Sequence, residues 1–181
     1  MNICIEGTDC VGKSFIIEKL IEWKKLNFAI IPEKEWKHLI KFDEQKDLWT
    51  YFVAGYNLMV VSILLSCDNW IKHRLHLSEY AYCKLLDRKT IFGFEQIDKV
   101  LFESKNKTLL ILLEVDYDTY CKRMISKNAK ERMWVKDEFE KTTNLFKEAY
   151  NLSKLDKILI DATKPIENIM EEIKHFYESK L

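Results

Sequence analysis

At 181 residues the chain is ample for one α/β domain and short for two. A hydrophobic fraction of 48% and an aromatic fraction of 13% can furnish a core, which excludes global disorder. Lysine plus arginine (29) equals aspartate plus glutamate (29), which argues against a chain built to coat nucleic acid.

The first five of the predicted elements' residues, Asn2-Ile3-Cys4-Ile5-Glu6, read as a short buried strand. With the strand opening at residue 2, no secretory leader is expected. Directly after it, Gly7-Thr8-Asp9-Cys10-Val11-Gly12-Lys13-Ser14 fits G-x-x-x-x-G-K-[ST] at every fixed position. Glycine lets the backbone turn so that successive amide N–H groups face phosphate oxygens. Lys13 would reach the outer phosphates of ATP, and the Ser14 hydroxyl would ligate Mg2+. Apolar residues at Phe15, Ile16, Ile17, Leu20, Ile21 and Trp23 mark a helix over about 13–25, whose positive end faces the anion.

Phe28-Ala29-Ile30-Ile31 is the next predicted strand, closed by Pro32. The helix predicted over 47–67 contains 20 residues without a charge, Leu48 to Cys67, long enough on paper to span a bilayer. It carries Thr50, Gly55, Asn57, Ser62 and Ser66 and lies between two strands of one sheet, so it reads as a core helix outside any membrane. A strand near 69–72 follows, then helices over 78–87 and 93–103. Thr108 to Val115 is a continuous apolar run of the kind a central parallel strand shows. Helices are predicted over 116–126 and 136–152 around a basic bridge, then a strand over 157–161 and a last helix over 166–179. Strands alternating with helices imply three layers around a parallel sheet, with ligands at the strands' carboxyl ends. Residues 1–181 form one domain on this reading. Five scattered cysteines (Cys4, Cys10, Cys67, Cys83, Cys121) include no C-x-x-C pair and point to a reducing compartment, the cytoplasm.

The chain resembles the thymidylate kinase family within the nucleoside and nucleotide kinases. Glu6-Gly7-Thr8-Asp9-Cys10-Val11-Gly12-Lys13-Ser14 is similar to that family's E-G-x-D-x-x-G-K-[ST], and Pro32-Glu33-Lys34 to its P-E-R. Phe52-x-Ala54 resembles F-x-A; Arg74 with Ser78 and Tyr82 resembles D-R-Y-x-x-S-x-x-[AF]-[YF]; residues 160–167 resemble the loop beside the donor adenine. The resemblance implies a three-layer P-loop kinase fold with a helical lid near 123–136. It implies that Asp9 approaches the sugar 3′-hydroxyl and Lys34 the acceptor's monophosphate. Phe52 would stack on the base, and Arg123 and Arg132 would be lid arginines. Thr163 and Lys164 would flank the donor adenine.

Three positions depart from the pattern. His73 stands where the family has the acid of D-R-Y, removing a negative charge near the magnesium. Tyr56 stands where an arginine reads the thymine edge, and its hydroxyl cannot form a guanidinium fork. Cys10 replaces a loop arginine of some members, which shifts the catalytic cation to the lid. The expected activity is ATP- and Mg2+-dependent phosphorylation of a deoxynucleoside monophosphate, dTMP to dTDP, by a homodimer. A deoxynucleoside kinase, with Glu33 as general base, is the alternative; a nucleotide-binding protein without turnover is the other.

Overall fold

The computed structural model describes residues 1–24, 46–126 and 133–181. The predicted strand at 28–31 and most of the basic bridge lie outside them. Among the described residues the elements run β1 (Asn2–Glu6), α1 (Lys13–Lys24), α2 (Lys46–Ser66), β2 (Ile71–His73), α3 (His76–Leu85) and α4 (Phe94–Glu103). They continue with β3 (Thr108–Glu114), α5 (Tyr117–Ser126), α6 (Lys136–Leu152), β4 (Asp156–Asp161) and α7 (Ile166–Glu178). The strands form one sheet in the order β2-β1-β3-β4, and every described pairing is parallel. Central strands of a parallel sheet are covered on both faces, which is why β1 and β3 are apolar almost throughout.

Side chains alternate along a strand, so each strand feeds two cores. Ile3, Ile5, Leu109, Ile111 and Leu113 join α1, α5 and α7 on one face. Cys4, Leu110 and Leu112 join α2, α3, α4 and α6 on the other. The uncharged helix α2 belongs to the second layer. Val53, Asn57, Val60, Val61 and Leu64 are buried at helical spacing. No described helix is long and apolar enough to cross a membrane.

Two boundaries differ from the sequence reading. β2 starts later than residue 69 because Asn69 (φ 57°) turns the chain in the left-handed region, and Trp70 gives its carbonyl to the N–H of Ile3 at 2.9 Å while its own N–H goes to the Asn2 side chain at 3.4 Å. α3 starts earlier, at His76. The cause is remote: the Glu6 carboxylate accepts the N–H groups of Leu75 (2.7 Å) and Leu77 (3.0 Å) and the hydroxyl of Ser78 (2.5 Å). A helix N-terminus needs acceptors for its free N–H groups and favours negative charge. Here a strand on the neighbouring part of the sheet supplies both.

Candidate active site

The phosphate loop joins the carboxyl end of β1 to the N-terminus of α1. Gly7 (φ 138°) and Gly12 (φ 99°) both occupy conformations that side chains resist. At Gly7 the restriction is also steric, since a Cβ would run into the carbonyl oxygen of Leu113. Thr8 and Val11 are buried, Ser14 is exposed at the first turn of α1, and Cys10 takes a left-handed φ of 59°. The Cys10 thiol lies 3.0 Å from the Met124 sulfur on α5.

Lys13 is buried, and its ammonium donates to the carbonyl of Gly7 at 3.0 Å and to that of Thr8. Burial, and then the positive charge of Arg74, hold its pKa well below the ordinary lysine value. An anion arriving at the loop would reverse that pressure. The loop is therefore a preformed cationic cradle.

Beside it, at the end of β2, stands Arg74. Its backbone is left-handed (φ 59°), with its N–H on the carbonyl of Ile5 at 2.9 Å. The side chain is 7% exposed. Nη2 meets the Asp9 carboxylate at 2.6 Å, Nη1 donates to Ser78 at 3.2 Å, and the guanidinium carbon lies 5.5 Å from the centre of the Tyr82 ring. Burial raises the Tyr82 pKa, so the phenol keeps its proton. His73 is half-buried next to these cations; desolvation first, then Lys13, Arg74 and Lys72, push its pKa down to about 3. The imidazole is neutral throughout the physiological range.

Arg123 ends α5, and its guanidinium is held by carbonyls: Val11 at 3.0 Å and Cys10 at 3.5 Å from Nη1, Ala162 at 2.7 Å from Nη2. It straps the phosphate loop to the turn after β4. In that turn Asp161 accepts the Thr163 N–H (2.9 Å) and hydroxyl (2.6 Å), while Lys164 pairs with Glu172 at 3.0 Å. The geometry brings residues 7–14, Arg74, Ser78, Tyr82, Arg123 and the 161–164 turn to one edge of the sheet. Phe52 and Tyr56 are half-buried on α2, Tyr56 against the second core. Glu33, Lys34 and Arg132 lie outside the described residues. Sequence reasoning gave no role to Glu6, although a carboxylate at the end of a buried strand was the available signal.

For magnesium, Ser14 offers an exposed oxygen at the loop. Both Glu6 oxygens are already engaged. These residues would fit a magnesium ion carried in by phosphate oxygens of a ligand, which commonly supply its ligands together with water. Cys4, Glu6 and His76 also gather ligating atoms within 4.8 Å of one another, but in a sealed core where Glu6 caps α3.

Among the described residues the chain is a four-stranded parallel sheet flanked by helices, with a glycine loop between its first strand and first helix and cations converging on that loop. No protein-family profile matches the chain, and no curated protein matches it in sequence. Solved structures do match. A deoxyadenosine kinase from M. mycoides with bound dATP has 17% identity and a TM-score of 0.73, over 98% of this chain and 100% of that one. Thymidylate kinase from Candida albicans has 18% identity and a TM-score of 0.66, over 99% and 91%. Shikimate kinase from Aquifex aeolicus has 20% identity and a TM-score of 0.61, over 99% and 98%. At such identities the likeness is one of fold.

Proposed function

We propose that this protein transfers the γ-phosphoryl group of ATP to a deoxynucleoside monophosphate, with dTMP to dTDP the leading reaction. The observation that carries the reading is the adjacency of two cationic devices. Lys13 beneath the glycine loop suits a donor polyphosphate; Arg74, locked by Asp9 and Ser78, suits an acceptor phosphate. Phosphoryl transfer asks the protein mainly for alignment and charge stabilisation, because the acceptor oxygen is itself a competent nucleophile. Magnesium bound with ATP would draw charge from the phosphates.

In this reading the loop amides and Lys13 grip the donor, and Asp9 approaches the acceptor sugar. Lys34 and Arg74 align its phosphate, and Phe52 covers the base. Arg123, strapped to carbonyls, sets the loop against the adenine side formed by Thr163 and Lys164. The moving cation would then be Arg132, in a lid near 123–136. The chain works as one domain, and the exposed apolar face of α2 (Tyr51, Leu58, Met59, Ile63) pairs with a second copy.

The likeness in fold to deoxyadenosine kinase, covering that whole chain, favours a second reading: a deoxynucleoside acceptor with Glu33 as base. Coupled assays with deoxynucleosides and their monophosphates side by side separate the two. Lys13→Ala is expected to lower kcat/KM at least 1000-fold, about 4 kcal/mol of transition-state stabilisation, while the circular dichroism spectrum stays native. Turnover persisting in that variant overturns the mechanism.

A further inference from the structure

We propose that His73 is a phosphate-binding side chain of this site: its ring N–H donates to a phosphate oxygen of the bound nucleotide, and its second ring nitrogen takes up a proton from solvent as the phosphates arrive. The inference rests on the reading of the glycine loop as a nucleotide site.

His73 is the last residue of β2, in register with Ile5 of β1, just below the glycine loop. Ile71, two positions back on the strand, belongs to the core shared with α1. Side chains alternate along a strand, so His73 is carried to that same face, the side on which Lys13 starts α1. Arg74 follows it directly. Ile71 and Lys72 are buried, whereas His73 is only half-buried and stays within reach of a ligand.

The charges around the ring are lopsided. Lys13 at the head of α1, and Lys72 and Arg74 on either side along the chain, act on it as cations. Asp9 of the loop acts against them, and its carboxylate meets Arg74 at 2.6 Å. The Glu6 carboxylate is occupied by the start of α3. A neutral imidazole has one N–H to give and one lone pair to receive with. Among the described residues, none forms a hydrogen bond with His73. A donor set among cations lacks an acceptor, and an anion is the group that supplies one.

Charge also sets the direction of the proton. Burial, then Lys13, Arg74 and Lys72, hold the ring pKa down at about 3. Phosphates drawn to Lys13 and Arg74 cancel the charges responsible and add negative charge of their own. Magnesium carried with them offsets only part, because the magnesium complex of ATP keeps a net negative charge. The resulting imidazolium has a donor at both nitrogens and adds a cation beside Lys13. Magnesium itself takes oxygen ligands, so the ring acts toward phosphate and not toward the metal. A bound state that holds one more proton is favoured as pH falls, by at most about tenfold in affinity per pH unit.

The test is the dissociation constant of ATP with Mg2+, no acceptor present, at pH 8 and pH 6, for the wild type and His73→Asn. Protonation of ATP itself affects both proteins alike, so the difference between them reports His73. From pH 8 to pH 6 the wild type is expected to gain at least about threefold in affinity over the variant. A smaller difference overturns the role of His73 and leaves the nucleotide site standing. A wild type that binds no ATP at either pH sinks that reading instead. Should His73→Asn not fold, His73→Gln, which sets its amide near the other ring nitrogen, is expected to show the same flattening. Calorimetry on the wild type alone, at pH 6.5 in two buffers of different ionisation enthalpy, should count a net proton uptake on ATP binding. No uptake, or a release, overturns the proposal.

Discussion

A neutral histidine among cations is the residue that most sets this chain apart. His73 closes β2 between Lys13, Arg74 and Lys72, and its folded pKa of about 3 lies far below the 6.5 of a solvated imidazole. An unfolded chain therefore binds a proton that the native one refuses. Its contribution to stability is complete above pH 6.5 and is lost progressively as pH falls toward 3, by up to about 1.4 kcal/mol per pH unit. Urea titrations at pH 7.5, 6 and 5 should show that slope, and His73→Asn should flatten it. If the slopes match, another group governs the acid limb. Introducing an acid is expected to bring no gain in rate, since His73→Asp would place a carboxylate in competition with any bound phosphate for Lys13 and Arg74. A tenfold or greater gain would instead support a nucleotide-binding protein that has lost turnover.

Among the elements, α4 and α6 meet at a carboxylate. Asp98 of α4 accepts from the Lys154 N–H at 2.9 Å and from Ser153 just past α6, and faces the ring of His76 at 3.2 Å. Its hydrogen bonds with His76 and Ser153 outweigh burial and hold its pKa below the usual carboxylate value. Asp98→Ala leaves these partners buried and unmatched, and is expected to cost about 2–4 kcal/mol in urea unfolding. A loss under 1 kcal/mol would mean that water replaces the carboxylate.

The same elements explain what was legible beforehand. The apolar run 108–115, the uncharged helix over 47–67 and the glycine loop declare themselves locally, through composition and spacing. The start of α3 did not, because its cap, Glu6, is about 70 residues away. Nor did the fixed station of Arg123: a basic run predicts a solvated or mobile charge, whereas three carbonyls on two other segments capture it. The Asp9–Arg74 pair was not foreseen: the resemblance assigns Asp9 to the sugar 3′-hydroxyl and Arg74 to the acceptor phosphate, with no contact between them. Tertiary partners, invisible to local pattern, decide such cases.

At the scale of the whole molecule, two cores flank one parallel sheet, and the second is covered by a helix whose outer side is apolar too. Tyr51, Leu58, Met59 and Ile63 lie 68, 53, 48 and 38% exposed on α2, with no charge from Leu48 to Cys67 to solvate them. Exposed apolar area on this scale usually marks an interface. Light scattering after gel filtration at micromolar concentration is expected to give twice the mass of one 21.7 kDa chain, and Met59→Glu to halve it. A wild-type monomer ends the proposal.

Trp134 is clasped at the far end of the basic bridge. Its backbone N–H donates to the Tyr120 hydroxyl at 3.0 Å, and its backbone carbonyl accepts from the Tyr117 hydroxyl at 3.2 Å. An indole so placed is a built-in lamp, whose emission is expected to change if a nucleotide binds at the glycine loop. Stopped-flow emission could thus time the event without a dye, once the other tryptophans are replaced by phenylalanine.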